Sequence, residues 1–120
     1  MIINAERMRI EQDEDNDLWL IDFRDEDQGL RGRIEIPSRI VSMENTTDFK
    51  VEIISRSSSN ETLDFKDALI AFNATRFRIK PRDGENIYSF SAGGLSLRLF
   101  SGEKRPEFKG LIREYIIIVR

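Results

Sequence analysis

A chain of 120 residues, 39% hydrophobic and 34% charged, has room for one domain and one core beneath a heavily charged surface. It contains neither cysteine nor histidine, which removes disulfides, thiol chemistry, Cys or His metal ligation and the commonest acid–base group at neutral pH. The net charge of -3 is the wrong sign for a domain whose main work is gripping nucleic acid backbones. An enzyme built from what remains would need carboxylates, Lys, Tyr or Ser, so the expectation is a non-catalytic protein without cofactor or metal. No run approaches the roughly 18 apolar residues of a membrane span, and the opening residues do not read as a signal peptide. The expected location is therefore the cytoplasm.

The chain opens on period-two alternation. Ala5 to Gln12 reads as a strand with Met8 and Ile10 facing in and Arg7, Arg9 and Glu11 facing out. The acidic stretch after it must form a wet turn, because its charges cannot be buried unpaired. Leu18 to Arg24 is the next strand, with Trp19, Ile21 and Phe23 on one face. The turn that follows ends in Gly29, a residue that takes positive φ readily. Leu30 to Ile36 then sets Ile34 and Ile36 against Arg31, Arg33 and Glu35. Acidic turns followed by arginine-bearing strands predict cross-strand ion pairs, each worth at most about 1 kcal/mol at a surface. Pro37 interrupts the ladder, and Ile40 and Val41 are expected to resume it.

Phe49, Val51 and Ile53 mark another inward face, opposite Lys50, Glu52 and Ile54. Ser55 to Thr62 carries the least structure. The stretch from Leu63 is ambiguous: its first part is expected to be irregular or briefly helical, with a strand over Ala68 to Lys80. A turn at Pro81 to Glu85 predicts a hairpin between Arg76–Lys80 and Asn86–Phe90. Gly93 and Gly94 together suggest a bulge, a barrel corner or a close backbone approach. Leu95, Leu97 and Leu99 alternate with Ser96, Arg98 and Phe100. The final run, Tyr115 to Val119, has no charged residue and is only a strand long, so it is expected to be covered on both faces. About eight short strands with almost no helix predict a single closed barrel or sandwich spanning residues 1–120.

Motifs that could carry chemistry are few. Asp13, Asp15 and Asp17 have the spacing that opens a calcium loop, but Leu18 stands where such a loop needs Gly and Arg24 where it needs Glu. A solvated turn explains them better. The glycine pair lacks the third glycine and the Lys-Ser or Lys-Thr of a phosphate loop. Arg76, Arg78, Lys80 and Arg82 form the one locally basic, aromatic-bearing stretch. On a strand these bases would share a face and could track a single-stranded nucleic acid, while Phe77 would point the other way into the core. Arg98 stands alone on the outward side of its leucine-rich strand. It either pairs with an acid on its own sheet or anchors an interface.

The residues Gly93, Gly94, Leu95, Leu97, Arg98, Leu99, Gly102, Tyr115, Ile116, Ile117 and Arg120 fall in an order and spacing that resembles a known family. This is the small RNA polymerase subunit shared by the three eukaryotic nuclear polymerases, subunit eight, together with its archaeal RNA polymerase counterpart. Ala92 and Ser96 depart from that pattern, and the matching part covers about a quarter of the chain. The short stretch before Leu63 stands where eukaryotic members carry a longer loop, which points to the archaeal form. The resemblance implies an all-β barrel of about eight antiparallel strands, of the oligosaccharide/oligonucleotide-binding type. It also implies a non-catalytic accessory subunit docking on the largest polymerase subunit, with Gly93, Gly94, Leu95 and Arg98 as partner-binding residues. The alternative is a stand-alone barrel that binds single-stranded nucleic acid through Arg76, Arg78, Lys80 and Arg82.

Overall fold

The computed structural model describes residues 1–56, 63–78, 81–108 and 113–120. These form eight strands: β1 (Ile2–Asp13), β2 (Leu18–Asp25), β3 (Leu30–Pro37), β4 (Asp48–Ser55), β5 (Ile70–Arg78), β6 (Asn86–Ala92), β7 (Leu95–Ser101) and β8 (Glu114–Val119). Single 3-10 turns occur at Glu26–Gln28 and Pro106–Phe108. The strands pair antiparallel in the order β1-β2-β3-β7-β6-β5-β8-β4, and β4 closes back onto β1. The fold is thus an all-β closed antiparallel barrel, compatible with the oligosaccharide/oligonucleotide-binding type. Closure gives each of these eight strands a paired neighbour on both sides.

Alternation builds the core. Trp19, Ile21 and Phe23 from β2 and Ile34 and Ile36 from β3 meet Leu97 and Leu99 of β7 inside the barrel. Phe49, Val51 and Ile53 of β4 complete the wall with Ile117 and Val119 of β8. Each such side chain contributes about 1.5–3 kcal/mol by leaving water. One end is filled by aromatics: Phe108 packs against Tyr88, Phe90 and Tyr115 with ring centroids 4.8, 5.4 and 6.0 Å away. β8 is covered on both faces, as its apolar run predicts. Ile117 faces the core, while Ile118, paired outward with Glu52 and Ala71, is also fully buried. The segment before β5 is tied down beside it: Arg120 donates to the carbonyls of Asp64 and Lys66, and Leu69 N–H donates to Val119 O at 2.7 Å.

Three expectations are corrected. In β1 the register jumps from Arg7 opposite Phe23 to Arg9 opposite Asp22, so Met8 is the extra residue of a β-bulge. A bulge resets the count of two: Ile3 and Ala5 face in before it, Ile10 packs on the core after it, and Met8 is 52% exposed. Ile40 and Val41 do not resume the sheet. Ser38 to Ile40 is a turn, with Ile40 exposed and Val41 buried. This loop plugs the barrel, because Trp19 Nε1 donates to Val41 O at 3.0 Å and Arg7 Nη1 donates to the carbonyls of Met43 and Glu44. Finally, β5 has the opposite phase to the one expected. Ala74 is buried and Arg76 is opposite the fully buried Phe90, so Arg76 lies on the inward register and Phe77 is 52% exposed. The residues before β5 are irregular with a turn at Lys66–Asp67, and the strand starts at Ile70.

Candidate docking face

β3 and β7 lie side by side with Arg31 opposite Phe100 and Arg33 opposite Arg98. All four side chains point outward, because Gly32, Ile34, Leu97 and Leu99 take the inward positions. The Arg31 guanidinium sits 4.9 Å above the centre of the Phe100 ring and pairs with Glu85 at 2.6 Å. Arg33 makes a two-point contact with Asp22, its direct partner on β2, at 2.7 and 3.3 Å. That hydrogen bond, and then the charge of Asp22, holds the Arg33 proton more tightly than usual. Arg24 reaches Glu6 and Glu26 at 3.4 and 3.1 Å. The predicted cross-strand ion pairs therefore exist, with Glu6 opposite Arg24 and Asp22 opposite Arg33.

Arg98 is the exception. It is exposed, faces Arg33 on one side and Ser89 on the other, and makes no ion pair among the described residues. Around it runs an open groove of about 520 Å³, lined by Met8, Arg24, Arg31, Arg33, Arg98 and Phe100 among others. Its surface combines an apolar floor with guanidinium groups. Arg31, Arg33 and Phe100 could be placed outward from the sequence by alternation. Met8 could not, because nothing in the residue string marks a bulge.

The other singled-out residues lie elsewhere. Gly93 and Gly94 form a two-residue turn between Ala92 and Leu95, with φ of 53° and 94°. They are the tip of a hairpin, neither a bulge nor a barrel corner, and nothing lies within 4 Å of where their Cβ atoms would be. Positive φ at both positions explains the pair without a ligand. Leu95 is half-buried at the start of β7. Arg98 is four residues beyond Gly94, about 13 Å along an extended strand, so the glycines and Arg98 do not form one cluster.

Of the four bases of the nucleic acid alternative, Arg76 and Arg82 have described side chains, and these two lie in different surroundings. Arg76 is half-buried on the inward register, and Arg82 sits exposed in the turn bridged to Glu85. Arg78 is in register with Tyr88. Lys80 lies outside the described residues. At the acidic turn, the Asp13 carboxylate accepts from Asn16 and Asp17 pairs with Arg39 at 3.1 Å. Among the described residues no group of three or more acidic side chains is placed to hold a metal ion, and no helix is long and apolar enough to cross a membrane. Compared with models of known protein families and with curated proteins, the chain matches none.

Proposed function

We propose that this chain is a non-catalytic accessory subunit of a multisubunit DNA-directed RNA polymerase, docking on the largest subunit, in the archaeal form of the family its C-terminal third resembles. The observation that supports this most is Arg98. It lies on the strand that carries the resemblance and lines an open groove, without a counter-ion among the described residues. Arginine is enriched where interfaces concentrate their binding energy, and an uncompensated one beside an aromatic ring suits a protein partner. The closed barrel agrees with what the resemblance implies about the fold. In this reading the chain contributes no catalytic residue, binds no cofactor, and works in the cytoplasm with the polymerase.

Co-expression with the largest polymerase subunit tests the reading directly. The expected result is co-elution of the two chains in gel filtration, with Arg98→Glu eluting alone and folded. Separate elution of the wild-type chain and the subunit, both folded, would count against it. Binding to oligo-dT that weakens steeply with salt would instead favour the stand-alone nucleic acid reading.

A further inference from the structure

The partner's contribution to the groove can be specified from its chemistry. We propose that the groove between Met8 and Arg98 receives a short extended segment of a partner protein carrying an Asp or Glu two residues from a large apolar side chain. The carboxylate pairs with Arg98 and the apolar side chain rests on Phe100, with Met8 on the far wall of the same groove. Only the partner's identity rests on the polymerase reading; the groove chemistry stands apart from it.

Two like charges stand opposite one another beside the groove. Arg33 and Arg98 are direct cross-strand partners on the outer face, an arrangement that is unfavourable unless the charges are compensated. Asp22 compensates Arg33 through its two-point contact. No acid among the described residues compensates Arg98, so an arriving anion gains a contact and relieves a repulsion. The apolar part follows from Phe100, two residues on and on the same face. Side chains at i and i+2 of any extended segment share a face and lie roughly 7 Å apart, which matches the spacing of Arg98 and Phe100 along β7. Met8, pushed into solvent by the bulge, offers an unbranched thioether at the rim. Such a side chain adapts to a range of apolar partners.

The surroundings favour a carboxylate on a protein over a phosphate chain. Glu6, Asp22, Glu26 and Glu85 pair with the arginines of the groove, and Glu35 lies on the same face, bonded to Ser96. A nucleic acid strand would bring repeated charges against these acids on a molecule of net charge -3. A single carboxylate beside an apolar group meets Arg98 and avoids the rest.

The test is photo-crosslinking in cells of the protein's own organism. The crosslinker p-benzoylphenylalanine replaces Met8 in one version of the full chain and Thr75, exposed on β5 across the barrel, in the other. Crosslinking from the first position to a peptide with Asp or Glu two residues from Leu, Ile, Met or Phe is the expected result. It should fall about tenfold in Arg98→Gln and be largely restored in Arg98→Lys, as loss and return of a charge-assisted contact require. Trp19 fluorescence checks that each variant is folded. Crosslinks from Thr75 alone, crosslinks to nucleic acid, a yield unaffected by Arg98→Gln, or no crosslink from either position would each overturn the proposal. An acidic-apolar segment in a protein outside the polymerase keeps the groove and overturns the polymerase reading. Polymerase recovered with crosslinks from Thr75 alone does the reverse.

Discussion

The ring of Phe23 occupies the space that a side chain at Gly32 would need. A Cβ placed on Gly32 would fall 2.3 Å from Phe23 Cζ, and the two residues are direct partners across β2 and β3. A small residue opposite a large one lets the barrel wall fill its interior at this level. Phe23 is 2% exposed and also packs edge-on to Phe49 at 5.6 Å, so the ring has nowhere to move. Gly32→Ala should therefore destabilise the protein by about 1–3 kcal/mol through overpacking. Urea denaturation measures it. In a Phe23→Leu background the cost of Gly32→Ala should shrink, since the shared clash is relieved.

Gly93 and Gly94 act through backbone conformation. Replacing either by Ala forces a left-handed residue with a Cβ and should cost about 1–2 kcal/mol. Gly93→Asn should be nearly neutral, because Asn tolerates the first position of such a turn. Docking should survive all three changes wherever the fold does. A Gly93→Asn protein that denatures like wild type but no longer binds its partner would show that the turn itself is touched.

A clasp around Gln28 holds one end of the barrel. The buried Asp25 carboxylate accepts from Asn4 N, Gln28 N and Gln28 Nε2 at 3.0, 3.3 and 2.7 Å. Gln28 in turn donates to Ile2 O at 2.8 Å, and Arg105 donates to its side-chain and backbone oxygens at 2.9 and 3.3 Å. Asp25→Ala leaves several donors without an acceptor and should cost about 2–3 kcal/mol. Gln28→Ala should cost less, about 1 kcal/mol, and should raise hydrogen exchange at Asn4 and Arg105 before global unfolding.

Arg98 should separate docking from stability. Arg98→Glu places an acid opposite Arg33 in place of a like charge, so the isolated barrel should be as stable or more so, by less than about 1 kcal/mol. The raised Arg33 pKa gives stability that is present below the ordinary arginine value and is lost only as pH rises through the still higher folded value. Arg33 thus stays charged at every neutral or acidic pH. Any gain in the variant should fade only as the introduced carboxylate takes up its proton, near pH 4. Thermal melts of both proteins between about pH 3 and 8 follow this difference.

Where each strand lies on one side of an uninterrupted count of two, the fold is legible from the residues. β2, β3, β4 and β7 present the faces expected, and the apolar run of β8 reads correctly as covered on both sides. The misplaced faces of β1 and β5 share one cause: side-chain phase depends on where the count begins. At Met8 the bulge resets it. In β5, counting from Ile70, Phe72 and Ala74 leads to Arg76 inward, whereas starting from the arginines inverts the strand. The glycine pair suggests a break within a strand, although two runs separated by two glycines are a hairpin signal. Alternation places Arg98 correctly as the outward charge of β7. Its opposition to Arg33 is hidden, because pairing β3 with β7 depends on barrel closure and on contacts far apart in sequence.

Whether the chain sits in the polymerase through Arg98 is decided by affinity recovery of the tagged chain from its own cells at moderate salt, with partners identified by mass spectrometry. Stoichiometric recovery of the large polymerase subunits with the wild-type chain, and their loss with a folded Arg98→Glu variant, is the predicted result. A folded wild-type chain that brings down no polymerase would show that it is not a subunit of that enzyme.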